Sequence, residues 1–120
     1  MFEGAMERFI RLDKPDFIGR AASLSKQQRG ARIKLVYLRV DALDSDCLGN
    51  EPVYAGEKLV GLTTSGAYGY ATEKSLAFAY VDPALTAPGT EFDVMVFTER
   101  RKARIIPESI WDAANARLKA

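Results

Sequence analysis

From residue 31 onward the chain breaks into short runs of branched and aromatic residues, each stopped within a few positions by Gly, Pro, Asn or a charged cluster. Strands of four to eight residues between such punctuation marks leave little choice but a small antiparallel β structure. The first run has Ile33, Leu35 and Tyr37 alternating with Lys34, Val36 and Leu38, and Asp41, Asp44, Ser45, Asp46, Gly49 and Asn50 follow it as turn residues. Further strands are expected at Pro52 to Tyr54, Leu59 to Ser65, Ser75 to Asp82, Glu91 to Phe97 and Ala103 to Ile106, with Gly56-Glu57-Lys58 as a hairpin turn. Closing such a set on itself hides the strand edges. The predicted fold is therefore mainly β, a small antiparallel six-stranded β-barrel preceded by one α-helix.

The helix is expected from about Pro15 to Gln28. Pro15 suits a first helical position, Asp16 suits the positive end of the helix dipole, and Phe17, Ile18, Ala21, Ala22 and Leu24 recur at helical spacing up to a stop near Gly30. Its expected role is packing. Ahead of it, Phe2, Met6, Phe9, Ile10 and Leu12 supply apolar surface with no cap or turn before them. That stretch reads as the middle of a larger protein; without its partners it would be disordered or drive self-association. The tail from Trp111 to Ala120 reads as a closing cap.

Composition narrows the chemistry. At 120 residues, 48% hydrophobic and 28% charged, the chain fits one globular domain. A formal net charge of +1 gives no field for nucleic acid or a membrane surface, and no run approaches the roughly 18 apolar residues of a membrane span. There is no basic, apolar leader. Histidine is absent, which removes Ser-His and Cys-His nucleophile pairs and His-based metal sites, and no metal site is expected. A single cysteine, Cys47, forms no internal disulfide and fits an intracellular protein. Lying in an acidic turn without a basic neighbour, it is expected to be an ordinary thiol.

The densest cluster of unusual residues is Val60-Gly61-Leu62-Thr63-Thr64-Ser65-Gly66-Ala67-Tyr68-Gly69-Tyr70. Glycine in a strand marks a bend or a close backbone approach, and tyrosine brings a flat apolar face with a polar tip. Such a segment either lines a ligand or turns a barrel corner, a routine use of glycine in barrel closure. Arg100, Arg101, Lys102 and Arg104 read as a basic turn and strand start, either a solvated hairpin or an attractor for an anionic chain.

Five segments in order also resemble a known family: Lys14 to Gly19, Gly49-Asn50-Glu51-Pro52-Val53-Tyr54, Thr64-Ser65-Gly66-Ala67-Tyr68-Gly69-Tyr70, Lys74-Ser75-Leu76-Ala77-Phe78-Ala79-Tyr80-Val81 and Pro88-Gly89-Thr90. They are similar to the C-terminal β-barrel domain of the glycine-cleavage T-protein (aminomethyltransferase) family, over nearly the whole chain from about Glu3 to Leu118. The tyrosine-rich third segment and the fourth look most like dimethylglycine and sarcosine dehydrogenases.

The resemblance implies that residues 1–30 are the end of a preceding folate-binding domain with a connecting helix, and that 31–120 are the barrel. It implies tetrahydrofolate as cofactor of the parent enzyme, bound largely by preceding domains of the same polypeptide, which also hold the catalytic aspartate. No catalytic residue is assigned to this chain. In the dehydrogenases a flavin domain oxidises an N-methyl amine to an iminium, whose one-carbon group passes to folate. FAD belongs to the parent only, since no Gly-x-Gly-x-x-Gly follows a strand here. Tyr68 and Tyr70, which can stack on a pterin or benzoyl ring, are the candidates for the folate cavity; Leu85, in the loop from Asp82 to Thr90, offers an apolar contact. The basic residues from Arg100 to Arg104 would meet the polyglutamate tail of folate. The expected location is the cytoplasm, or the mitochondrial matrix in a eukaryote. Alternatives are a plain aminomethyltransferase without flavin and a stand-alone binding barrel.

Overall fold

The computed structural model describes residues 1–120. Six strands, β1 (Lys34–Val40), β2 (Pro52–Ala55), β3 (Lys58–Gly69), β4 (Lys74–Val81), β5 (Glu91–Val96) and β6 (Glu99–Ile106), close into a barrel in the order β1-β4-β3-β2-β5-β6. Every neighbouring pair is antiparallel. The six-stranded barrel is as expected, and so is the hairpin at Gly56 and Glu57, where Gly56 takes φ 61°.

Alternation decides what fills the interior. Val36, Leu38 and Val40 of β1, Ala77, Ala79 and Val81 of β4, Phe92, Val94 and Val96 of β5, and Ala103 and Ile105 of β6 are buried together. Small alanines on β4 and β6 leave room for Phe92 and Leu38, the mixture of sizes that a tapering barrel needs. Glycines let β3 pass close to its surroundings. A Cβ at Gly61 would lie 2.1 Å from the Tyr80 carbonyl oxygen, and one at Gly66 would lie 2.6 Å from that of Cys47. The register of β3 against β4 shifts between Thr63 and Ser65, which bends the strand there.

The helix differs from expectation. α1 runs from Arg20 to Arg29, because Gly19 sits at φ 90° and ends the preceding turn rather than continuing a helix from Pro15. None of its residues is buried, and Ile18 ahead of it is fully exposed. It is tied to the rest by the Lys26 to Glu3 ion pair at 2.9 Å and by Arg20, whose Nε donates to the Leu12 carbonyl at 3.1 Å. The apolar start lies along the barrel: the Leu35 amide donates to the Glu3 carbonyl at 2.7 Å. The tail is not a closing cap. Residues 107–120 bury nothing, and a short helix, α2 (Ala116–Lys119), ends the chain with Arg117 over the Trp111 ring. No helix is long and apolar enough to cross a membrane.

Candidate functional site

One rim of the barrel is built from the β3–β4 hairpin and the loop between β1 and β2. The turn after Gly69 is closed by Thr72, whose amide and hydroxyl both donate to the Gly69 carbonyl at 3.0 Å. Facing it, the 41–51 loop is pinned at three points. Ser75 Oγ donates to Asp46 at 2.6 Å, Cys47 is buried against Gly66, and Glu51 accepts from the amides of Leu48 and Gly49.

Between these two elements stand Tyr68 and Tyr70. Their rings meet edge to face, with centroids 5.1 Å apart and planes at 82°. Tyr68 is 38% exposed and Tyr70 86% exposed. With Leu43, Asp44, Ser45 and Asp46 they line a cleft of about 320 Å³. Tyr68 also walls a second cleft of similar volume, whose far side is Tyr37 and Phe78, stacked at 4.8 Å and 21°. Burial pushes the Tyr37 hydroxyl above its ordinary pKa.

The structure thus brings Tyr68 and Tyr70 together but not Leu85. That residue follows β4 at its opposite end, about 23 Å away at the rise of an extended strand, in a 3-10 turn whose Ala84 amide donates to Asp82. It packs partly buried against the core. The basic residues are not a turn but the body of β6, and each has a partner: Arg100 with Glu57, Arg101 with Asp44 and Glu99, Lys102 with Asp93, and Arg104 with Glu91. Arg100 also lies over the Tyr54 ring. A row of paired charges offers little free cation to a polyglutamate chain. Nor is Cys47 an ordinary thiol. Burial, with Glu51 and Asp46 nearby, pushes its pKa up to about 11.

Sequence reasoning missed the Tyr37–Phe78 stack. A signal was present: Leu76, Phe78 and Tyr80 occupy alternate positions with Ala77, Ala79 and Val81 between them, so β4 is apolar on both faces. It also missed Glu51 and Thr63, whose contact depends on a bulge that no local pattern announces.

The rim thus sets two perpendicular aromatic faces beside carboxylates that are themselves held, Asp44 by Arg101 and Asp46 by Ser75. The fold is a closed six-stranded antiparallel barrel with an aromatic cleft at one rim. The chain belongs to the family of the glycine cleavage T-protein C-terminal barrel domain, whose model matches residues 34–112. It is 41% identical over 119 residues to mitochondrial dimethylglycine dehydrogenase of Mus musculus, covering 97% of this chain and 14% of that protein. It is 34% identical to the aminomethyltransferase of Thermosynechococcus vestitus, covering 91% of this chain and 30% of that one. The fold matches the crystal structure of the glycine cleavage system aminomethyltransferase T from Bartonella henselae at a TM-score of 0.78 and 21% identity, over 87% of this chain and 30% of that one.

Proposed function

We propose that this barrel forms one wall of the tetrahydrofolate pocket in an enzyme that oxidises an N-methyl amine of the dimethylglycine or sarcosine type and passes the one-carbon group to folate. The observation that carries the proposal is the Tyr68–Tyr70 corner at the braced rim. The 41% identity to a dimethylglycine dehydrogenase favours the oxidising parent over a plain aminomethyltransferase. In this reading residues 1–30 end the preceding folate-binding domain, residues 31–120 are the barrel, and FAD is held upstream. The mouse relative is mitochondrial by name, which supports the matrix for a eukaryotic parent; a bacterial parent belongs in the cytoplasm.

The residues present fit part of the cofactor. A cleft of about 320 Å³ is at the lower end of ligand-pocket volumes, enough for one ring system and not for a whole folate. Bound tetrahydrofolate supplies the nitrogen that accepts the one-carbon unit. The work of this chain is to give that ligand an aromatic face at Tyr68 and Tyr70, to shield it from water on one side, and to keep the face in place through Ser75, Asp46 and Glu51. Holding reactants in position lowers a barrier without any protein group entering the reaction. Leu85 cannot touch the same ring and enters as an apolar contact to the far end of the folate.

The test is a calorimetric titration of tetrahydrofolate into the full-length enzyme and its Tyr68→Ala and Tyr70→Ala variants. Loss of one stacking face should weaken binding by roughly three- to tenfold. Unchanged affinity in both variants removes the corner from the pocket. The 120-residue chain alone, followed by Trp111 fluorescence, should show no saturable binding. Micromolar affinity there, worth roughly 8 kcal/mol, would return the barrel to the status of an independent binding module.

A further inference from the structure

The outer surface of the barrel is divided into two unlike faces. On β5 and β6 the outward residues are mostly charged and paired across the strands, with Glu91 opposite Arg104 and Asp93 opposite Lys102, and Met95 beside them. On β1, β4 and β3 the outward side is mostly apolar, with Leu35, Tyr37, Leu76, Phe78, Tyr80 and Leu62, and Arg39 and Lys74 stand at its β1 and β4 ends. An antiparallel sheet with one wet face carries polar residues at such positions. Here Phe78 is 42% exposed and Leu62 46% exposed.

We infer that this apolar β1–β4–β3 face is the surface by which the barrel docks onto the domain preceding it in its polypeptide. The inference rests on the reading of the chain as the C-terminal part of a larger enzyme. The matched model is that of a C-terminal domain, and the chain covers 14% of one relative's length and 30% of another's, so most of those proteins precede this barrel. The incoming chain lies on the same side. Glu3 is hydrogen-bonded to Leu35 at the end of β1, and Gly4 lies beside the Tyr80 hydroxyl. Met6 and Phe9 share a groove of about 690 Å³ with Tyr37 and Phe78. A domain delivered along that route meets the apolar face, while the paired charges of β5 and β6 stay in water. Phe78 and Leu62 are exposed and Tyr37, Leu76 and Tyr80 half-buried, and apolar surface left open in this way marks an interaction site.

Hydroxyl-radical footprinting without folate tests the assignment on the 120-residue chain, which has its own closed core, and on the full-length enzyme. Tyr37, Leu76 and Phe78 should show a severalfold loss of labelling in the full-length enzyme, whereas Met95 on β5 should label equally in both. Equal labelling of Tyr37 and Phe78 in the two overturns the inference. So does protection of these residues that rises with the concentration of the 120-residue chain, which would give the face to a second copy. As a second arm, Phe78→Ser in the full-length enzyme should speed proteolysis between barrel and preceding domain, while the same change leaves the melting of the 120-residue chain nearly unmoved. Proteolysis at the parent rate overturns the inference. Because no folate is present, failure here is distinct from failure of the Tyr68 and Tyr70 variants to alter cofactor affinity.

Discussion

Thr63 and Glu51 hold each other from both ends. The Thr63 hydroxyl donates to the Glu51 carboxylate and accepts from the Glu51 backbone N–H at 2.9 Å. The same carboxylate receives the Leu48 amide at 2.8 Å and the Gly49 amide at 2.9 Å, so one side chain ties the β1–β2 loop to β3. Thr63 is 1% exposed, and its replacement by valine keeps the shape but leaves the Glu51 amide and carboxylate short of a partner. Thr63→Val should cost about 1–3 kcal/mol, read as a lower urea midpoint with an unchanged slope.

Acid should act on the same clasp. Burial pushes the Glu51 carboxyl up, yet the hydrogen bonds from Thr63 and from the Leu48 and Gly49 amides outweigh it and hold its pKa below the ordinary 4.5. A carboxyl lowered in the folded state contributes stability that is complete above the unfolded pKa and is lost as pH falls through the folded one. The difference in urea midpoint between the parent and Glu51→Gln should therefore be constant from pH 7 to about 5 and shrink below 4.5. Glu3, Asp13 and Glu91, held low by hydrogen bonds from Lys26, Arg11 and Arg104, are common to both proteins and drop out of that comparison. A difference that grows on acidification would contradict this account.

Cys47 should be silent toward thiol reagents. With a pKa pushed up to about 11 and no exposed surface, it offers almost no thiolate at pH 8. Ellman's reagent should react with the native chain only at the rate at which the 41–51 loop opens, and at once in 8 M urea (about the usual unfolding concentration). Thr63→Val, by freeing the loop, should speed the native reaction.

Gly66 and Gly56 should respond differently to alanine. Gly56 has open space but φ 61°, so a Cβ there costs about 1 kcal/mol of backbone strain. At Gly66 the added atom would lie 2.6 Å from the Cys47 carbonyl oxygen and 3.0 Å from that of Leu76, both backbone atoms that cannot swing aside. Gly66→Ala should cost about 3 kcal/mol, and thermal melting ranks the two variants directly.

The strands were legible because their punctuation is chemical: Gly56, Pro83, Pro88 and Asn50 stop the ladder wherever they occur. What lay outside the pattern was set at a distance. The register slip between Val53 and Tyr54 in the β2–β3 ladder decides which hydroxyl meets Glu51, and no residue of that stretch marks it. Pro15 looked like a helix start until Gly19 took a left-handed turn after it. At the rim, Tyr68 and Tyr70 announced themselves by composition, whereas the separation of Leu85 from them came from the direction of β4. The ion pairs along β6 needed the β5 register, which no reading of Arg100 to Arg104 alone could supply.

On β4, Ser75, Ala77, Ala79 and Val81 answer to the packed interior, while Leu76, Phe78 and Tyr80 answer to whatever lies outside. Two sets of instructions are interleaved residue by residue on one strand, and either can drift while the other is held fixed. A change in the outward set can therefore alter what this strand presents to its surroundings without disturbing how the barrel folds.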